Sequence, residues 1–72
     1  MSEVELELKK LGFDVKRYSF VPGYYGRLTL PGKGFISVDV DLSRSEATLH
    51  VRLKIPAGRV VEVLKRVLEE VA

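Results

Sequence analysis

Lys16, Arg17, Tyr18, Phe20, Tyr24, Tyr25, Arg27, Lys33 and Phe35 interleave cations with aromatic rings, and Arg52 and Lys54 add two cations further along the chain. Cations neutralise phosphates and flat rings accept stacked bases. A surface with both holds a single strand of nucleic acid, at about 1–3 kcal/mol per stacked base. The same residues have a plainer account. Tyr and Phe are common in strands for packing reasons alone. Arg27 and His50 can also neutralise Asp39 as cross-strand pairs.

Other chemistry-bearing residues are sparse. Asp39 and Asp41, two apart on a strand, would share one face about 7 Å from each other. That spacing suits an acid/base pair or a divalent ion, but nothing else in the chain completes such a site. A solvated role that blunts a sheet edge accounts for them. His50 is the only histidine. Histidine is the usual general base near neutral pH, yet no Ser or Cys nucleophile stands in a recognisable motif near it. Gly32-Lys33-Gly34 lacks the spacing of a phosphate-binding loop and opens a strand, where no helix N-terminus waits for a phosphate. A hairpin loop explains it, with Lys33 at the tip. The expectation is a binding protein without enzymatic activity, cofactor or metal.

Composition narrows the class further. The chain has 72 residues, no Cys, no Trp and one Met, and it contains neither Asn nor Gln. One domain spans residues 1–72. A domain this small buries a modest core and commonly needs a staple or a partner. Disulfides are excluded, and a zinc site lacks ligands. That leaves a very regular fold, self-association, or both, and a dimer or tetramer is the expected assembly. No secretory signal and no membrane-length apolar run is present, which points to the cytoplasm. Depletion of thermolabile residues, with 31% charged residues, points to a thermophilic source. The net charge of +2 is mild. Its distribution is uneven: Glu3, Glu5 and Glu7 lead the chain, and residues 9–33 then carry six cations against Asp14 alone. That basic stretch also holds Phe13, Tyr18, Phe20, Tyr24 and Tyr25.

The elements that must position these residues follow from periodicity. Ser2 and Glu5 have capping-box spacing. Val4, Leu8 and Leu11 fall on one helical face, Lys9-Lys10 close the segment as the helix dipole prefers, and Gly12 stops it. This predicts a helix over 2–11; alternation of Val4, Leu6 and Leu8 offers a strand as the competing reading. Residues 14–21 read as a strand with a bulge near Lys16-Arg17. Val21-Pro22-Gly23-Tyr24 reads as a type II turn. Residues 24–30, 35–42 and 47–55 read as three more strands, the last two with clean alternation. The turn at 31–34 places Gly34 at a left-handed position. If Leu30 opposes Ile36, Arg27 opposes Asp39; if Leu42 opposes Ala47, Asp39 also opposes His50. Pro56 ends the last strand and starts a helix running from 57 or 58 to 71. Its apolar side, from Val60 to Val71, is about 160° wide. The predicted architecture is α+β in the order α-β-β-β-β-α, a four-stranded antiparallel sheet with both helices packed on one face.

A short acidic-to-basic helix, a four-stranded meander carrying Tyr24-Tyr25-Gly26-Arg27, and a terminal Val/Leu helix resemble the small archaeal single-stranded DNA-binding proteins related to ThermoDBP. The resemblance is one of layout over the whole chain. It implies sequence-tolerant binding of single-stranded DNA, a helix-backed sheet, and assembly into oligomers. The residues expected to bind come instead from the face reading: Lys16, Arg17, Tyr18, Phe20, Tyr24, Tyr25, Arg27, Lys33, Phe35, Arg52 and Lys54. Single-stranded DNA or RNA is the expected partner. The alternative is an interaction module that docks a protein through its terminal helix or a strand edge.

Overall fold

A computed structural model describes residues 2–72. Helix α1 runs over Glu3–Lys10, and its ends explain its length. The Ser2 hydroxyl accepts the Glu5 backbone N–H at 3.1 Å, a standard N-cap. The second half of the capping box does not form, because the Glu5 carboxylate reaches Arg17 instead, at 2.8 Å. At the other end Gly12 takes φ 103°. Its N–H donates to the Lys9 carbonyl, and the Phe13 N–H donates to the Leu8 carbonyl, both at 3.0 Å. These two bonds make a Schellman stop, which needs a positive φ that β-carbon-bearing residues avoid.

Four strands follow: β1 (Asp14–Arg17), β2 (Gly23–Leu30), β3 (Gly34–Asp41) and β4 (Glu46–Leu53). They pair antiparallel in the order β1-β2-β3-β4. The fold class and element order are those the periodicity predicts.

Three local expectations need correction. β1 is half the predicted length and has no bulge. It ends at Arg17, and residues 18–22 loop across to β2, where the Tyr18 N–H meets the Gly23 carbonyl at 3.1 Å. The type II turn at 21–24 is absent, since Gly23 does not adopt positive φ. Gly23 is there for space: a β-carbon would sit 2.4 Å from the Val40 carbonyl oxygen. The register is also shifted by two residues at both hairpins. Leu30 opposes Gly34 and Arg27 opposes Ser37, while Asp39 lies between Tyr25 and Thr48.

The turns set this register. Residues 31–33 close the first hairpin, and Gly34 adopts φ 124° with no room for a side chain, as a β-carbon would fall 1.7 Å from the Arg52 carbonyl oxygen. In the second, Asp41 accepts the backbone N–H of Ser43 at 2.9 Å and of Arg44 at 3.3 Å. Ser45 then turns left-handed at φ 53°. Asp41 must therefore be the last strand residue.

The inner face of the sheet carries the core. Tyr24, Val38 and Val40 are buried there, with Leu8, Phe13 and Val15 packed against them. The core thus sits between α1 and the β1–β3 side of the sheet. β4 is exposed along its whole length.

After a single 3-10 turn (Ala57–Arg59), helix α2 spans Val60–Val71. Its bounds agree with the sequence pattern; its position does not. No α2 side chain is buried, and the 3-10 turn is the neighbour it packs beside. The expected packing of both helices on one sheet face is therefore met by α1 alone. Pro56 stands extended at ψ 133° between β4 and the 3-10 turn.

Candidate nucleic-acid interface

Alternation along the strands sends a second set of side chains to the outer face, which no helix covers. Pairing arranges them in rows across the sheet. One row is Thr29–Phe35–Arg52, the next Asp14–Arg27–Ser37–His50, and the third Lys16–Tyr25–Asp39–Thr48. The Arg27 guanidinium carbon lies 4.0 Å above the centre of the Phe35 ring, a cation–π contact worth about 0.5–1 kcal/mol at an exposed site. Arg52 stands directly across from Phe35 on the other side. The Lys54 backbone N–H donates to the Lys33 carbonyl at 2.7 Å, which brings the hairpin tip and the end of β4 to this same end of the sheet.

The tyrosines lie next to this basic end. Tyr18 and Tyr25 pack with ring centres 5.0 Å apart and planes tilted by 38°. The Tyr18 hydroxyl donates to Asp39 at 2.7 Å. That hydrogen bond raises the pKa of the phenol, because ionisation would put two negative charges side by side. Asp41 and Glu46 oppose each other one row further on. The Ser43 hydroxyl, with the backbone N–H groups of Ser43 and Arg44, holds the Asp41 carboxyl below the ordinary carboxylate range. The outer face is thus polarised along the strands. Cations surround Phe35 at one end, where Asp14 on the edge strand β1 stands across from Arg27; Asp39, Asp41 and Glu46 begin about 13 Å away, four residues along β3, with Lys16 in the row of Asp39.

The ion pairs among the described residues leave the basic end of this face out. They join Lys10 to Glu7, Arg17 to Glu5, Arg44 to Asp41, and Arg59 and Arg66 to Glu62. Among the described residues, Lys16, Arg27, Lys33, Arg52 and Lys54 make no salt bridge. The neutralisation of Asp39 by Arg27 and His50 does not occur, since the shifted register places both opposite Ser37.

Eight of the eleven residues singled out from the sequence gather on or beside this face: Lys16, Tyr18, Tyr25, Arg27, Lys33, Phe35, Arg52 and Lys54. Two do not. Tyr24 is 1% exposed and forms the centre of the core; it alternates with Tyr25, so one of the pair had to point inward. Arg17 belongs to the inner side, opposite Tyr24. Its guanidinium is committed to Glu5, which is 3% exposed and whose pKa is lowered chiefly by that hydrogen bond. Phe20 is 99% exposed on the 18–22 loop, apart from the sheet. The sequence reading missed the Tyr18–Asp39 bond, which spans 21 positions and has no local signature. Thr29, Ser37 and Thr48 are polar neighbours that alternation places on this face, though they were not among the residues expected to bind.

A cleft of about 340 Å³ opens at the acidic end, lined by Tyr18, Pro22, Asp39, Asp41 and Ser43 among others. Both carboxylates are engaged, Asp39 by a phenol and Asp41 by the turn it caps. No cluster of three metal-ligating side chains occurs among the described residues. Among them, no helix is long and apolar enough to cross a membrane.

No protein-family model matches the chain, and no curated protein or solved structure matches it either.

Proposed function

We propose that this chain is a non-enzymatic, cytoplasmic protein that binds single-stranded nucleic acid, DNA in the first instance, with little sequence preference. The observation that carries this reading is the group of five cations without carboxylate partners, set around exposed rings on an uncovered sheet face. Arg27 and Arg52, flanking Phe35, would neutralise phosphates at the centre of the site. Lys33 and Lys54 would extend that track past the hairpin, and Lys16 would extend it along β1. Bases would stack on the open face of Tyr25, and on the guanidinium that already lies on Phe35. Affinity would come from charge and stacking, which every base offers, so sequence would matter little. The carboxylates at the far end would repel phosphate and fix where the strand leaves the sheet. The layout shared with the archaeal proteins related to ThermoDBP points the same way.

The test is fluorescence anisotropy of labelled oligo-dT and a matching duplex, using the wild type and the Arg27→Glu/Arg52→Glu variant. Both arginines are exposed, so the variant should fold. It should lose binding to the single strand; undiminished binding would remove this face from consideration.

A second reading has its own observation, the exposed apolar side of α2. On that reading the chain is an assembly module and the cations serve solubility. The double arginine variant would then keep its partner.

A further inference from the structure

The chain exposes too much surface for its size. A compact monomer of 8.1 kDa would show roughly 4,500 Å², whereas this one shows 6104 Å². Its radius of gyration is 13.8 Å, against about 11 Å for 72 residues in a compact fold. The excess of about 1,600 Å² exceeds the ~800 Å² that each partner contributes to an interface of standard size.

The excess has two sources, and they are complementary. The first is the inner face of the sheet beyond α1. There Leu49, Val51 and Leu53 of β4 are 64%, 59% and 36% exposed, and Leu42 at the end of β3 is 43% exposed. An apolar groove of about 300 Å³, lined by Val4, Val40, Leu42 and Ala47 among others, continues this strip up to α1. The second source is α2. Val60, Leu64, Val67, Leu68 and Val71 lie on one side of it, between 44% and 75% exposed. One protomer therefore has a sheet half without a helix and a helix without a sheet. The dimensions agree: twelve residues of helix are about 18 Å long, and eight of strand about 26 Å.

We propose that two copies of this chain form a two-fold symmetric dimer by exchanging α2, each helix lying along the β4 side of the other protomer's inner sheet face. A reciprocal exchange is closed, so it ends at two chains instead of running on into a filament. It completes in the dimer the arrangement the sequence pattern predicts, a sheet with two helices on one face, with the second helix supplied by the partner. It also uses only inner faces, so both outer faces stay open. This assembly does not depend on the nucleic-acid reading.

The chain has no cysteine, so single thiols report contacts without interference. Light scattering after size-exclusion chromatography should give twice the chain mass. Val51→Cys protein mixed with Leu64→Cys protein should form a disulfide between the two variants on oxidation, and Leu64→Cys alone should not cross-link well. A chain carrying both thiols should form a dimer joined by inter-chain disulfides. Leu64→Glu/Leu68→Glu should be a monomer that keeps the circular dichroism of the sheet, because both leucines are exposed in the protomer. A single-chain mass for the wild type overturns the proposal. So does an intramolecular disulfide in the doubly substituted chain, which would mean that α2 folds back on its own sheet. Efficient cross-linking of Leu64→Cys to itself also overturns it, since the helices would then pair with each other. A wild type that is monomeric and still binds oligo-dT overturns the exchange and leaves the outer-face site standing.

Discussion

Tyr24 and Tyr25 are adjacent in sequence and opposite in role, and replacing each in turn separates stability from binding. Tyr24 is 1% exposed, between α1 and Val40, and its hydroxyl accepts a hydrogen bond from Ser2 at 3.2 Å. Truncating a buried aromatic to alanine costs about 3–5 kcal/mol. A domain of this length has a total stability of roughly 4–11 kcal/mol, so Tyr24→Ala should leave the chain unfolded or close to it. Tyr24→Phe keeps the ring and should cost only about 1 kcal/mol, the net worth of the hydrogen bond. Tyr25 is 42% exposed and touches Tyr18. Tyr25→Ala should cost about 0.5–1.5 kcal/mol of stability through that ring pair. If a base stacks on it, affinity should fall by about 1–3 kcal/mol, or roughly 5- to 140-fold. Urea titration followed by circular dichroism measures the first quantity for all three variants, and anisotropy with oligo-dT measures the second for the folded ones. A Tyr25→Ala protein as unstable as Tyr24→Ala would refute the assignment of the two faces. A Tyr25→Ala protein with wild-type affinity would refute stacking at this ring.

Glu5 gives a pH prediction with a definite sign. Arg17 depresses its folded pKa, so its contribution is fully present above the ordinary glutamate value of 4.5 and is lost as pH falls through the lower folded value. Stability measured by urea titration down through that range should decline less steeply in Glu5→Gln than in the wild type; parallel curves would contradict the pairing. Gly34→Ala should abolish folding or shift the β2–β3 register, since its β-carbon would overlap the Arg52 carbonyl, and a wild-type unfolding midpoint would show the turn to be different. Asp39→Asn keeps an acceptor for the Tyr18 hydroxyl and removes a charge from the acidic end. It should tighten oligo-dT binding at low salt and lose that advantage at high salt; unchanged or weaker low-salt affinity would place the strand away from Asp39.

Local chemistry was the part of the fold most legible in the sequence. Ser2 and Gly12 bracket α1 because a cap and a positive φ are properties of single residues. Alternation assigned the two sheet faces correctly for the same reason that it left the register open. A slip of two residues keeps every side chain on its face, so the pattern could not separate Leu30 opposite Ile36 from Leu30 opposite Gly34. The turn residues Gly34 and Asp41 decide that, through contacts with Arg52 and with residues 43–44. The helical period likewise gave the bounds and apolar side of α2 but not what covers that side. Arg17 and Tyr24 entered the candidate site by residue type. Arg17 left it because Glu5, twelve positions earlier, claims its guanidinium, and Tyr24 because its ring completes a core of very few side chains.

The most direct test of the proposed function is the salt dependence of oligo-dT binding. With Lys16, Arg27, Lys33, Arg52 and Lys54 all on phosphates, log affinity should fall against log salt with a slope of about −3.5, or roughly 100-fold over a fourfold rise in salt. The Arg27→Glu/Arg52→Glu variant should fail to bind even at low salt, and the duplex should bind more weakly than the single strand. Absence of wild-type binding at low salt, or an affinity indifferent to salt, would contradict the account and leave the chain as an assembly module built on α2.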